Sequence, residues 1–354
     1  MTREIRIGDK LISDSSEAWV IAEIGHNHQG NVETCKQLFR AAKECGVQSV
    51  KLQKRDNASL YTRAMYAQPY DNENSYGLTY GLHREALEFG REEYRELQKY
   101  AKELGLAFFA TAFDFKSADF LEDLDVPAYK IASGDLKNIP LIKYVASFKK
   151  PLIISTGGGT LEDVRRMYEA ILPVNAQIAI LQCTAGYPPA FEELELNVIE
   201  TFRREFPEAV IGFSSHDSGI AMAVAGYVLG ARIVEKHFTL NRAMKGTDHA
   251  FSLEPVGLRK MVRDLQRTRI ALGTGVKRTF ATEQKPLVKM GKKLVAARDL
   301  PAGHILTAGD IAIKSPGDGV PPYELSKFIG RTLNAPLGAD QDLTFQVVGQ
   351  AVRV

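Results

Sequence analysis

The chain has 354 residues, 45% hydrophobic and 25% charged, with a formal net charge of +2. Opposite charges that nearly cancel give no basis for a nucleic-acid partner, and no apolar run reaches the ~18 residues of a membrane span. The N-terminal ten residues lack the apolar core of a signal peptide, and Cys35, Cys45 and Cys183 lack metal-ligand spacing, so a cytoplasmic protein with buried, reduced thiols is expected.

Apolar runs rich in β-branched and aromatic residues predict eight strands, at 19–25, 49–53, 107–113, 128–133, 152–156, 178–184, 210–216 and 232–238. Helical patterns fall between them, at 32–45, 91–104, 161–172, 196–205 and 218–230, and a further helix is expected over 257–272. Strands alternating with helices in this way predict a (β/α)8 barrel, a TIM barrel, over residues 1–275. A doubly wound open sheet is the competing architecture. Its first turn is normally Gly-rich, whereas the first turn here is His26-Asn-His-Gln-Gly30; His26 and His28 are read as turn residues. The connection from Lys54 to Phe89 is too long for an ordinary βα loop and rich in Tyr, Asn and Gly. It is expected to be a lid or substrate-facing excursion, the alternative being a decoration packed on the barrel. Residues 276–292 read as a basic, turn-rich linker. Short strands and turns take over in 293–354, with a weak echo between Asp299-Leu-Pro-Ala-Gly303 and Ala335-Pro-Leu-Gly338 that suggests a small duplicated β module.

Polar residues gather where the apolar runs stop, the end that carries the chemistry of barrel enzymes. They are Glu23; Lys51 and Gln53; Thr111 and Asp114; Lys130, Ser133 and Asp135; Ser155 and Thr156; Thr184 and Tyr187; Ser214 and His216; and Glu235 and His237. His216 and His237 end neighbouring strands, so they are either two hydrogen-bonded strand-end histidines or two neutral ligands for one divalent metal. Lys51 and Lys130 among hydroxyls suit a phosphate and a carboxylate, or one lysine is a Schiff-base nucleophile. Glu23 handles a proton or orients substrate, or else pairs with a lysine. Asp248, just past the eighth strand, binds a hydroxyl or simply shapes a turn.

These residues resemble the sialic acid (N-acetylneuraminate) synthase family. The matching stretches are Ala22-Glu-Ile-Gly-His-Asn-His-Gln-Gly30, Val50-Lys-Leu-Gln53, Lys130-Ile-Ala-Ser-Gly-Asp135, Ile154-Ser-Thr-Gly157, Leu181-Gln-Cys-Thr184, Gly212-Phe-Ser-Ser-His216, Glu235-Lys-His-Phe-Thr239, Lys245-Gly-Thr-Asp-His249 and Ser252-Leu-Glu-Pro255. Residues 293–354 resemble the family's antifreeze-like SAF domain, a β-clip. The resemblance implies condensation of phosphoenolpyruvate with the aldehyde of an open-chain N-acetylmannosamine-type sugar, with Mn2+ or Mg2+ as cofactor. It implies that His216 and His237 hold the metal. Lys51, Thr111, Lys130, Ser133, Ser155 and Ser214 hold phosphoenolpyruvate, while Glu23, Gln53, Tyr187 and Asp248 face the sugar. It further implies a homodimer in which the small domain caps the neighbour's barrel. Synthases for legionaminic or pseudaminic acid, and more distantly a Schiff-base aldolase or a silent sugar-binding scaffold, are the alternatives. Two departures stand out: Ala185-Gly186 follow Cys183-Thr184 where many members carry Asn, and Ser315 stands in Lys314-Ser-Pro-Gly317 where free-sugar synthases carry Arg. Lys51-Leu-Gln-Lys54 and Tyr80-Gly-Leu-His-Arg84 look closer to animal-type members that use the sugar 6-phosphate. This makes Lys54, Arg55, Arg63 and Arg84 candidate contacts for that phosphate, or else solvated loop charges.

Overall fold

The computed structural model describes residues 3–351. It opens on an antiparallel hairpin, β1 (Glu4–Ile7) and β2 (Lys10–Ser13), that was not expected from the sequence. Each strand offers only one or two inward apolar residues, Ile5 and Ile7 against Ile12, too few to register as a periodic pattern. Eight parallel strands follow and close into a barrel: β3 (Trp19–Gly25), β4 (Ser49–Lys54), β5 (Ala107–Ala112), β6 (Tyr129–Ile131), β7 (Leu152–Ser155), β8 (Ile178–Cys183), β9 (Val210–Ser215) and β10 (Ile233–His237). The strands run in chain order, and β10 pairs with β3 to close the ring. β6 stops at Ile131, short of the expected Ser133, because Ser133–Asp135 turns into a 3-10 helix.

Helices cover the ring because each buries one stripe and caps its own first turn. In Val32–Glu44 the buried residues are Cys35, Leu38, Phe39 and Ala42, a helical spacing, and Asn31 accepts from the Thr34 amide. Asp114 accepts from the Ser117 amide at the start of Phe115–Asp123. Thr160 and Asp163 form a reciprocal capping box on Leu161–Ile171. The Lys54–Phe89 connection folds into three short helices, Asn57–Leu60, Arg63–Ala67 and Tyr80–Glu85. It is tied to the loop after β10: the Tyr76 hydroxyl donates to the Lys245 carbonyl at 2.6 Å, and the Gly246 amide donates to Asn74 Oδ1 at 2.9 Å.

The chain divides into two compact units between Gly273 and Thr274. The segment expected as a turn-rich linker contains a helix, Gln284–Met290; its Pro286 lies in the first turn, where a missing amide hydrogen costs nothing. The second unit pairs β11 (Lys293–Ala296) with β12 (Ile311–Lys314) and β13 (Arg331–Leu333) with β14 (Val348–Ala351). Leu294, Leu306, Phe328, Leu333 and Leu343 form its core. The two echoing segments pair with each other, the Leu300 and Leu337 amides each donating to the other's carbonyl at 2.8 and 2.9 Å. Ser315 donates to the Gly291 carbonyl at 2.9 Å and accepts from Lys292 Nζ at 2.5 Å.

Candidate active site

Side chains two apart on a strand share a face, and the parallel register sets which of them become neighbours. His237 lies level with Glu23, and Glu23 level with Lys51. Thr111 lies level with Lys130, and Ser214 level with both Cys183 and Glu235. These residues converge on one cavity of about 640 Å³ at the C-terminal ends of the strands. A cavity of about 750 Å³ lies at the opposite end, among Trp19, Lys43, Gln48, Lys102 and Phe108. It has no histidine or hydroxyl lining it, and barrel chemistry resides at the C-terminal end.

The cavity floor is a buried chain of alternating charge. Lys51 Nζ is 2.5 Å from Glu23 Oε2 and 3.6 Å from Glu235 Oε1, and it donates to Thr111 Oγ1 at 2.8 Å. Lys130 Nζ is 3.9 Å from Glu235 Oε1 and donates to Ser155 Oγ at 2.7 Å. Burial raises the Glu23 carboxyl above its ordinary value, against the pull of Lys51 and with the push of Glu235. Burial also opposes ionisation of Glu235, but Lys130 and Lys51 outweigh it and hold that carboxyl below its ordinary value. Burial lowers the Lys130 ammonium, against the pull of Glu235. Gly25 sits beside the floor at φ +53, where a Cβ would come within 3.2 Å of Gln53 Nε2 and Glu23 Oε1; a side chain there would strain the backbone and crowd both groups.

Across the cavity stand the two histidines, their ring centroids 5.4 Å apart. The Thr184 carbonyl lies 3.0 Å from His216 Nδ1 and accepts its hydrogen, so Nε2 keeps its lone pair. Burial, then His237, pulls His216 down to about 4, so the ring is neutral at physiological pH. His237 Nδ1 is buried without a hydrogen-bond partner, 3.7 Å from Asp248 Oδ2. Two neutral imidazoles with free nitrogen atoms fit a divalent metal. Among the described residues no group of three or more His, Cys, Asp or Glu side chains is gathered for one. Tyr187 and Phe251 wall the pair, Tyr187 at 4.2 Å from the His216 ring and Phe251 at 4.9 Å from the His237 ring.

A third corner is cationic. Arg55 is buried and stacks 3.8 Å from the Phe113 ring centroid. Its Nη2 donates to Gln53 Oε1 at 2.7 Å, and Gln53 Nε2 donates to Glu23 Oε1 at 2.6 Å. Arg84, on helix Tyr80–Glu85, donates to the Tyr80 hydroxyl through Nε and Nη2. His26 lies between the two guanidinium groups, 3.2 Å from each.

Of the residues named from the sequence, Glu23, Lys51, Gln53, Thr111, Lys130, Ser133, Ser155, Tyr187, Ser214, His216, Glu235, His237 and Asp248 line this cavity, and Asp114, Thr156 and Thr184 do not. Asp135 does not: it belongs to the 3-10 turn after β6, and its carboxylate accepts from Asn138 Nδ2 at 3.0 Å. Of the four cationic loop candidates, Arg55 and Arg84 line the cavity. Lys54 instead pairs with Glu88 at 3.1 Å, and Arg63 is exposed. His26 and His28 are turn residues, as expected, and both side chains face inward: the His26 side chain is 9% exposed, and buried His28 is stacked 4.2 Å from Phe89. The sequence does not single out Phe113 or Phe251: Phe113 reads as the last apolar residue of the expected strand 107–113, which stops at Ala112, and a lone aromatic in a loop such as Phe251 carries no periodic signal.

A profile of the NeuB family matches residues 38–277, and one of the SAF domain matches residues 293–346. The chain is 37% identical to the N-acetylneuraminate-9-phosphate synthase of Homo sapiens, over 96% of this chain and 95% of that protein. It is 32% identical to the N,N'-diacetyllegionaminic acid synthase of Legionella pneumophila, over 96% of this chain and 97% of that protein. The crystal structure of N-acetylneuraminic acid synthetase from Leptospira borgpetersenii superposes with a TM-score of 0.71 at 27% identity, covering 81% of this chain and 95% of that one. Closed barrel, trailing SAF domain and near-full-length similarity to these synthases agree: the chain belongs to the NeuB family.

Proposed function

We propose that this chain condenses phosphoenolpyruvate with the open-chain aldehyde of an N-acetylmannosamine-type sugar, releasing phosphate and a nine-carbon 2-keto sugar acid. One observation carries the reading: a single cavity holds two lysines among hydroxyls and, facing them, two neutral imidazoles with free nitrogens. Lys51 and Lys130, with Thr111, Ser133, Ser155 and Ser214, hold the phosphate and carboxylate of phosphoenolpyruvate. His216 and His237 would hold a divalent cation, Mn2+ or Mg2+, which when bound supplies Lewis-acid polarisation of the aldehyde oxygen. Gln53, Tyr187 and Asp248 orient the sugar so that its carbonyl carbon faces C3 of phosphoenolpyruvate. The C3–C1 bond forms as the enol double bond is consumed, leaving an oxocarbenium at C2. Water adds there, and Glu23, whose carboxyl is raised by burial, is the group suited to move the proton. The tetrahedral carbon then expels phosphate by C–O cleavage, giving the 2-keto acid.

Phosphate release from phosphoenolpyruvate, measured across N-acetylmannosamine, its 6-phosphate and diacetamido-dideoxy hexoses, tests the reading. Release that needs a sugar and stops on chelation supports it. A borohydride-trapped pyruvate adduct on Lys51 or Lys130, without phosphate release, would overturn it. The working unit is a homodimer, a reading supported by exposed apolar side chains at Ile270, Val276, Phe280 and Met290. Light scattering at micromolar concentration should give twice the chain mass.

A further inference from the structure

Asp248 stands on a loop, between β10 and helix Pro255–Ala271, rather than on a barrel strand. Its seat at the cavity is held from two directions. On its C-terminal side the barrel holds it. Ser252 Oγ donates to the Asp248 carbonyl at 2.5 Å, Asn27 Nδ2 donates to that hydroxyl at 3.0 Å, and Nδ1 of buried His249 lies 2.7 Å from Thr239 Oγ1. On its N-terminal side the hold comes from the turn after β3 and from the long excursion. The Lys245 carbonyl accepts twice, from Gln29 Nε2 at 2.8 Å and from the Tyr76 hydroxyl at 2.6 Å, which occupies both of its lone pairs. The Gly246 amide donates to Asn74 Oδ1 at 2.9 Å, and Lys245 Nζ stands 4.8 Å from the Tyr76 ring centroid. Backbone strain marks this contact as specified. Gln29 holds φ +56, a left-handed conformation unfavourable for a residue with a Cβ. Gly246 holds φ +140, where a Cβ would come 2.8 Å from His249 Cδ2. Tyr76 is itself fixed, its amide donating to His83 Nδ1 on helix Tyr80–Glu85 at 3.1 Å.

We infer that Gln29 and Tyr76 are positioning residues for the sugar: their shared grip on the Lys245 carbonyl seats Asp248 at the cavity, so the Lys54–Phe89 excursion governs sugar affinity. This rests on the condensation proposed above, in which Asp248 orients the sugar. Neither Gln29 nor Tyr76 lines the cavity, whereas Thr247 and Asp248 both do. The two residues therefore act through the backbone from Lys245 to Asp248. Thr247 Oγ1 donates to Asp248 Oδ1 at 2.9 Å, and Asp248 Oδ2 lies 3.7 Å from His237 Nδ1, so the carboxylate moves with its loop. A carboxylate that must meet a sugar hydroxyl at hydrogen-bond distance tolerates little displacement. The phosphoenolpyruvate side is built differently: Lys51, Thr111, Lys130, Ser155 and Ser214 stand on barrel strands. Loosening the grip should weaken the sugar and spare phosphoenolpyruvate.

The test is the steady-state kinetics of the double variant Gln29→Gly/Tyr76→Phe with Mn2+, phosphoenolpyruvate and either N-acetylmannosamine or its 6-phosphate. Glycine suits the φ of residue 29 and phenylalanine keeps the ring of residue 76, so both changes remove a donor and leave the fold in place. Two lost bonds, at about two- to tenfold each, should raise the KM of whichever sugar turns over by about tenfold or more, while the KM for phosphoenolpyruvate stays within about twofold. Gln29→Gly alone, which keeps the Tyr76 hydroxyl, should recover part of the loss. A sugar KM unchanged in the double variant overturns the inference and leaves the condensation standing. A rise shared equally by both KM values overturns it too, because it gives the two residues a general structural role. If the unaltered protein turns over no sugar, the condensation itself fails, and hydrogen–deuterium exchange decides the grip. Faster exchange confined to residues 244–250 of the double variant supports it, and unchanged exchange there overturns it.

Discussion

Glu23 and Glu235 divide the acid–base work of the cavity floor. Both are buried beside Lys51, yet burial leaves Glu23 raised while Lys130 and Lys51 hold Glu235 lowered. Of these two carboxyls, Glu23 is therefore the one that holds a proton more readily. Phosphoenolpyruvate brings negative charge to Lys51 and weakens that lysine's hold on Glu23, which favours the proton further. Binding should therefore take up protons near neutral pH, seen by calorimetry in two buffers of different ionisation enthalpy; net proton release would contradict this. Glu23→Gln should lower kcat by at least about 100-fold. His216→Ala or His237→Ala should abolish metal-dependent turnover and weaken Mn2+ binding by electron paramagnetic resonance, with an unaltered circular dichroism spectrum. Strand-end position makes these residues legible in the sequence. His26 is not legible: it follows β3 in a turn of ordinary composition, and only the fold brings Arg55 and Arg84, near the two ends of the Lys54–Phe89 connection, against it.

Among the elements, β9 and β10 depend on a clamp behind the cavity. Lys236 alternates with Glu235 and His237 and so points outward from the barrel interior. Its buried Nζ donates to the Asp217 carbonyl at 2.7 Å and to Asp217 Oδ1 at 2.9 Å, and Ser215 donates to the same carboxylate. This fixes the residues on both sides of His216. Lys236→Met leaves a buried carboxylate unpaired and should cost about 3–5 kcal/mol in denaturant unfolding; a loss below about 1 kcal/mol would mean that the clamp is dispensable. The barrel strands read clearly in the sequence because both of their faces are buried. The excursion's helices did not, since they are single turns too short for periodicity, although their caps Asp56, Thr62 and Thr79 are present.

At the level of the whole molecule, buried neutral histidines set the acid limit of stability. His28 accepts from the Gly30 amide at 3.0 Å and is lowered from 6.5 to about 3, by burial first and then His26. Between those values the unfolded chain binds the proton and the folded chain does not. Stability is therefore full above about pH 6.5 and falls as pH drops toward 3. His28 alone should cost about 2 kcal/mol at pH 5, and His83, lowered to about 4, acts in the same direction. Unfolding midpoints from pH 7.5 to 5 should fall steadily; a flat profile would contradict this. The two-part organisation is legible from the change of pattern after Leu272. The N-terminal hairpin and the helix Gln284–Met290 are too short to stand out from their surroundings.

The most direct measurement follows the bridging oxygen of phosphoenolpyruvate. With that oxygen labelled as 18O, and with the sugar and Mn2+ present, C–O cleavage requires the label to appear in inorganic phosphate. Label retained in the sugar acid, or phosphate released without a sugar, would contradict the condensation.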